Sequence, residues 1–334
     1  MKKFLKNKVI LITGGTGFLG RHIVKEILEY NPASIRIFSR DEVKHHNFQE
    51  EFKKHWEIVK PFIGDVRDYE RLEKAMRGAD IIIHAAALKR LDMIEYNVEE
   101  SIKTNIIGTL NVVRAALKNN VEKVIFVSSD KACSPVNTYG ACKFVSERIF
   151  IESNFSKGNA KTSFSCVRYG NVTNSTGSVI PFFVEKIKNS EDIPLTDHRM
   201  TRFLITPKQA VELVFKVIQY SEGGEIFIPK LPAFKVFDLI NYLKEKYNSE
   251  AKIKLIGIRP GEKIHELMIN ASEVPRTYEF KDGYIITSQI QKYIEKINYK
   301  YLKNSNKVKF NEYSSENEVI SSEQLKKYLE KIEI

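Results

Sequence analysis

The chain has 334 residues, enough for two domains or for one large core with an appended lobe. Hydrophobic residues make up 43% and charged residues 28%, and the longest apolar runs, such as Val9-Ile10-Leu11-Ile12 and Ile81-Ile82-Ile83, fall far short of the ~20 residues that a membrane helix needs. The net charge of +11 comes from Lys spread along the chain without one dense basic stripe, which points to compositional bias and away from nucleic-acid binding. The run after Met1-Lys2-Lys3 breaks at Thr13-Gly14-Gly15, too early for a secretory signal. Cys133, Cys142 and Cys166 show no Cys-x-x-Cys spacing and leave an odd count, which fits a reducing cytoplasm and no disulfide framework. No metal site is expected.

In chain order, short β-rich runs alternate with helical patterns. Strands are expected at 8–13, 34–39, 59–63, 81–84 and 123–128, with a further one at 162–169. Helices are expected between them at 17–30, 68–76, 98–119 and 138–154. This rhythm predicts an α/β fold, a doubly wound parallel sheet with helices on both faces. After Gly170 the rhythm breaks into a loop at 174–178, a helix at 179–188 and an irregular stretch at 194–202. Thr206-Pro207-Lys208-Gln209 then opens a helix reaching Tyr220, with Thr as N-cap, Pro at the first position and Gln closing a capping box. A strand follows at 225–228. The expected organisation is a nucleotide-binding domain over 1–172, to which 203–230 returns, a smaller α/β substrate lobe over 173–287, and a tail over 288–334 carrying Ser321-x-x-Gln324 as another helix start.

Thr13-Gly14-Gly15-Thr16-Gly17-Phe18-Leu19-Gly20 joins the first strand to the first helix. Gly14, Gly17 and Gly20 permit a tight turn, close approach of a pyrophosphate and close helix–strand packing, and the helix start supplies free N–H groups. This predicts a dinucleotide site. The second strand ends in Ser39-Arg40, a hydroxyl and a guanidinium that suit a 2′-phosphate and favour NADP. Asp41 follows, and a slip of one residue would place a carboxylate near the ribose and favour NAD instead. Asp65 ends the third strand and either meets the adenine edge or serves a turn.

Tyr139 and Lys143 lie one helical turn apart and can face one cleft. An ammonium there lowers the phenol pKa, so that Tyr can take a proton from an alcohol while hydride leaves for a nicotinamide. Eight to ten residues earlier, the fifth strand ends in Ser129-Asp130-Lys131, where an acid and a base can act on the same molecule. An alcohol dehydrogenase has no need of that second pair.

These motifs resemble those of the extended short-chain dehydrogenases/reductases, and more narrowly of the inverting UDP-N-acetylglucosamine 4,6-dehydratases. The resemblance runs from about residue 5 to 290. It rests on 13–20, Phe38-Ser39-Arg40-Asp41-Glu42, His84-Ala85-Ala86-Ala87-Leu88-Lys89, Ser128-Ser129-Asp130-Lys131-Ala132, Tyr139–Lys143, Arg168-Tyr169-Gly170-Asn171-Val172, Met200-Thr201-Arg202-Phe203 and Gly257-Ile258-Arg259-Pro260-Gly261-Glu262-Lys263. Retaining dehydratases carry Asp-Glu in place of Asp130-Lys131, and 4-epimerases lack the pair.

The resemblance implies oxidation at C4, removal of the C5 proton by Lys131, loss of the C6 hydroxyl aided by Asp130, and return of hydride to C6. For that role Lys131 is expected to have a depressed pKa. The family positions imply that Arg202 and Arg259 lie near the UDP diphosphate, Glu262 near a ribose, and Asn171, Ser129 and Lys89 near the diphosphate or sugar. Ala85 and Ala86 line the cofactor with Thr13 and Phe18. His84 is expected to be a packed strand residue, and Asn105 to organise the active-site helix. The resemblance implies a homo-oligomer with a UDP-sugar substrate, and it leaves out the N-terminal membrane region of some relatives. A 4-epimerase, a retaining dehydratase and a non-catalytic NADP-sensing protein are the alternatives.

Overall fold

The computed structural model describes residues 2–175, 177–297, 299–303 and 305–332. Six short runs rich in Ile, Val and Phe form the strands β1 (Val9–Thr13), β2 (Ser34–Ser39), β3 (Val59–Ile63), β4 (Ile81–His84), β5 (Lys123–Val127) and β6 (Ser163–Val167). The four central strands, β1, β4, β5 and β6, are covered on both faces, which is why they read as near-continuous apolar runs and not as alternating ones. Ile10, Leu11, Ile12, Ile82 and Val124 are fully buried. Each such side chain contributes about 1.5–3 kcal/mol over leaving it in water.

The strand order is β3-β2-β1-β4-β5-β6, continued by Ile226–Pro229, Gly283–Ile286 and Thr277–Phe280. Ile226–Pro229 joins β6 in parallel, and the last two strands run antiparallel along that edge. The chain reverses direction of travel between β1 and β4, so a crevice opens at the carboxyl ends of those strands. The last two strands fall within the segment assigned to the lobe, 173–287, and extend the main sheet instead. They pair with each other as a hairpin, and Gly283–Ile286 reaches the main sheet through Ile226–Pro229, a strand far away in sequence.

The lobe holds a second core around Phe183, Leu195, Phe234, Leu239 and Leu243. The stretch expected to be irregular, 194–202, is so over 196–200, while its two ends belong to strands. Ile193–Leu195 pairs with Ile253–Leu255, and Thr201–Ile205 lies between Asn171–Val172 and Ala233–Lys235. Helix Pro207–Tyr220 starts with the expected capping box, and helix Ser322–Lys331 starts with another formed by Ser321 and Gln324. The helix expected over 98–119 is interrupted. It runs as Val98–Ser101, a π-helical stretch Ile102–Ile107, and Gly108–Lys118. Asn105 lies in this π-helical stretch, a form often found at functional sites. A helix that the sequence reading lacked, Glu42–Glu51, starts at Asp41. No helix among the described residues is long and apolar enough to cross a membrane.

Candidate active site

The crevice begins at the glycine turn. Gly14 has φ +70°, and a Cβ there would stand 2.9 Å from the Ala86 backbone. A Cβ on Gly20 would stand 2.3 Å from Gly15 O, so only glycine lets the helix lie on the strand. Helix Phe18–Leu28 starts at Gly17 with no side-chain cap, which leaves first-turn N–H donors open to an anion. Thr13 Oγ1 accepts from Ala86 N at 3.3 Å and lies 2.7 Å from His84 Nδ1, while Ala85 N donates to Thr13 O. His84 is a buried strand residue, and burial takes its pKa down to about 3. The half-buried Phe18 turns its ring onto His22 at 4.6 Å. These features fit a dinucleotide.

At the end of β2, Ser39 Oγ lies 2.9 Å from Thr16 Oγ1. Arg40 is more than half exposed and approaches Asp65 Oδ2 at 3.6 Å. Asp65 is held mainly by Arg67, at 2.8 Å. Burial raises the Asp65 pKa, but the Arg67 hydrogen bonds and charge outweigh it and the net shift is downward. Asp41 is occupied as the N-cap of Glu42–Glu51, accepting from Lys44 N at 3.0 Å.

Tyr139 and Lys143 lie on helix Thr138–Ser156, which Asn137 caps by accepting from Gly140 N at 2.8 Å. Lys143 is buried and donates to Val127 O at 2.7 Å, with its Nζ 5.9 Å from the Tyr139 ring centroid. Burial lowers its pKa to about 8. Burial raises the Tyr139 phenol to about 12, and the cation that opposes this shift is Lys131.

The turn Asp130–Ala132 follows β5 and faces the same crevice. Ser129 Oγ donates to Asp130 Oδ1 at 2.7 Å. Lys131 Nζ donates to Asp130 Oδ1 at 3.1 Å and to Asn171 Oδ1 at 3.4 Å, and lies 3.5 Å from Glu266 Oε1. Burial by itself lowers the Lys131 pKa, but the Asp130 and Glu266 charges more than reverse it. The expectation of a depressed Lys131 pKa is therefore corrected: the ammonium is stabilised, because two buried carboxylates flank it. Asp130 Oδ2 and Glu266 Oε2 are buried and have no hydrogen-bond partner among the described residues. Glu266 is the site residue that sequence reasoning missed. It lies three residues beyond the 257–263 motif, and nothing local tells it from a surface glutamate.

Arg202 and Arg259 border one segment. Arg202 donates to Lys263 O and Ile264 O, both at 3.0 Å, and lies 3.7 Å from Glu266. Arg259 is 58% exposed and faces Glu262 at 3.9 Å. The segment is tied to the start of helix Thr138–Ser156 and to the chain just before it, since Asn137 Nδ2 donates to Gly261 O and Lys263 Nζ to Cys133 O. Lys89 continues the loop after β4. Asn105 holds that loop, accepting from Leu88 N at 2.8 Å and donating to Leu88 O at 3.0 Å. Its side chain thus organises the loop, while its carbonyl accepts from Ser146 of the catalytic helix.

Comparison with known proteins agrees with this arrangement. The polysaccharide biosynthesis protein family matches residues 10–288. A Campylobacter jejuni protein named UDP-N-acetylglucosamine 4,6-dehydratase (inverting) is 47% identical over 293 residues, 87% of this chain and 86% of its own. A Rickettsia bellii protein named UDP-glucose 4-epimerase is 40% identical over 289 residues, 84% of this chain and 83% of its own. The crystal structure of Pen from Bacillus thuringiensis superposes with a TM-score of 0.91 at 38% identity, covering 98% of this chain and 99% of that one. With a match over most of its length, and with the glycine turn, Tyr139 and Lys143 at one crevice of a doubly wound sheet, the chain belongs to the polysaccharide biosynthesis protein family of extended short-chain dehydrogenases/reductases.

Proposed function

We propose that the protein is a C5-inverting 4,6-dehydratase of UDP-N-acetylglucosamine, yielding a UDP-4-keto-6-deoxy-L-N-acetylhexosamine. The observation that carries this reading is the Asp130–Lys131 ion pair, buried in the same crevice as Tyr139. Tyr139 takes the proton of the C4 hydroxyl. A nicotinamide nucleotide, when bound, accepts the C4 hydride and returns it at C6. The C4 ketone acidifies the C5 proton.

The proton that Lys131 holds passes to Asp130 along their 3.1 Å hydrogen bond. This turns an ammonium and a carboxylate into an amine and a carboxylic acid. The amine removes the C5 proton, and the acid gives its own to the departing C6 hydroxyl, which leaves as water. The pair ends as it began, with Lys131 charged and Asp130 ionised. The enolate left when hydride reaches C6 then takes one solvent proton at C5 on the opposite face, which inverts that centre, while Tyr139 releases to solvent the proton it took. The raised Lys131 pKa keeps the resting pair ionised and makes the first transfer, from Lys131 to Asp130, an uphill step.

NADP is the proposed cofactor, held by Thr13, Gly14, Gly17, Phe18, Gly20, Ala85 and Ala86, with Ser39 and Arg40 at the 2′-phosphate and Asp65 at the adenine edge. Arg202, Arg259, Glu262, Asn171, Ser129 and Lys89 are the proposed UDP-sugar contacts. The enzyme is proposed to be a cytoplasmic homo-oligomer that supplies pseudaminic acid or capsule-type glycan synthesis.

A 4-epimerase is the second reading, favoured by the Rickettsia relative, but epimerisation leaves the Asp130–Lys131 pair without work. Mass and NMR analysis of the product from UDP-N-acetylglucosamine decides between them. Loss of water with deuterium from the solvent at C5 is the expected result. UDP-N-acetylgalactosamine without loss of mass would overturn the dehydratase reading.

A further inference from the structure

Three side chains at the end of β2 are wired together. Ser39 Oγ lies 2.9 Å from Thr16 Oγ1 on one side and 2.9 Å from His45 Nε2 on the other. The same ring nitrogen lies 3.0 Å from Ser39 O. A carbonyl oxygen can only accept, so Nε2 carries the ring proton. The rest of the ring agrees. His45 is 5% exposed, its Nδ1 has no hydrogen-bond partner among the described residues, and burial lowers its pKa despite the opposing bond to Ser39. A neutral ring with a bare lone pair at Nδ1 leaves no buried N–H unsatisfied.

This fixes what Ser39 can do. Its oxygen receives the Nε2–H, so its own proton points elsewhere, to Thr16 or to a ligand. Ser39 is thereby presented as a donor. Phosphate oxygens accept only, whereas a ribose 2′-hydroxyl also has a proton to give and is better met by a carboxylate. The nearby carboxylate that could serve there, Asp41, is committed to capping the helix that carries His45. Phe48, 1% exposed on the same helix, belongs to the main core.

We propose that His45 is a specificity-determining positioning residue of the cofactor site, holding Ser39 as a hydrogen-bond donor to the 2′-phosphate of an NADP-type nucleotide. The inference rests on the NADP reading. It goes beyond that reading by assigning a role to a side chain that does not itself reach the nucleotide.

Calorimetric titration of nucleotide-depleted full-length protein with 2′,5′-ADP and with ADP tests both. The parent protein is expected to prefer 2′,5′-ADP. Without that preference the NADP reading falls, and the His45 role with it. Given the preference, His45→Leu should reduce it about ten-fold through loss of one directed hydrogen bond, with ADP affinity unchanged. His45→Gln, whose amide N–H can replace Nε2–H, should restore most of it. Ser39→Ala should remove the same increment, and His45→Leu should add nothing on top of it. A folded His45→Leu protein with the parental preference would overturn the His45 role while leaving the NADP reading standing. So would an equal fall for both nucleotides. Should His45→Leu fail to fold, Ser39→Ala still decides, since an unchanged preference there removes the donor that His45 is said to orient.

Discussion

Lys131 stands between two reactions. As the proposed C5 base it acts after oxidation, yet its charge is also the one that opposes the burial of the Tyr139 phenol, whose pKa ends raised at about 12. Lys131→Ala should therefore do two things. It should block water loss while still allowing hydride transfer from C4. It should also move the pH at half-maximal hydride transfer upward, because without the ammonium the phenol ionises at a higher pH. Absorbance of the reduced nicotinamide, followed across pH in single turnovers, reads both. An unshifted profile would contradict the coupling, and parental product formation would remove Lys131 as the base. Arg259→Ala should weaken UDP binding about ten- to a hundred-fold, as loss of one charge-assisted contact does, and calorimetry with UDP checks it. At this scale the sequence was legible where chemistry depends on spacing along the chain. The glycine turn, Tyr139 with Lys143, and Asp130 with Lys131 all declare themselves within a few residues. Glu266 and His45 do not, because each acts on a partner that only the folded chain brings near.

Among the elements, helix Thr138–Ser156 and strand β6 meet at a buried ion cluster. Arg168, fully buried, donates to both oxygens of Glu147 on the helix and to both oxygens of Glu273, just before the strand Thr277–Phe280. Burial raises the Glu273 pKa, but the charge and hydrogen bonds of Arg168 and the charge of Arg276 reverse this and take it to about 2 from 4.5. A carboxylate depressed in the folded state adds stability that is complete above its unfolded value and lost as pH falls toward the folded one. Acid unfolding should draw on Glu273 between about pH 4.5 and 2. Glu273→Gln leaves Arg168 half-paired. It should cost about 3–5 kcal/mol at neutral pH and flatten the acid limb. Urea denaturation at several pH values measures both, and an unchanged acid limb would show that the cluster is not the acid-sensitive element. The sheet's six leading strands were legible because each is an apolar run between turns. Strands 193–195 and 201–205 were not, since their partners at 253–255, 233–235 and 171–172 lie elsewhere in the chain.

Seen whole, the molecule uses the described residues beyond 287, expected only as a tail, to close both cores. Tyr301 OH donates to the buried Glu225 at 2.7 Å, Tyr313–Ser314 pairs with Leu267–Ile269, and Ser315 Oγ accepts from Glu266 N at 2.8 Å. Leu325 and Leu329, buried on the final helix, complete the lobe's core. Leu329→Ala should destabilise the protein by about 2–5 kcal/mol, read as a lower urea midpoint. A midpoint within error of the parent's would mean the final helix is dispensable. The same view gives the catalytic helix two moorings outside the nucleotide-binding sheet: Gly261 and Lys263 at its start, and Glu273 through Arg168 at its middle. A helix fastened that way keeps its reacting groups in register only while the chain beyond residue 257 stays seated. On warming, turnover should fail at a lower temperature than the one at which the sheet's circular dichroism signal melts, and coincident midpoints would show that the moorings hold as long as the sheet does.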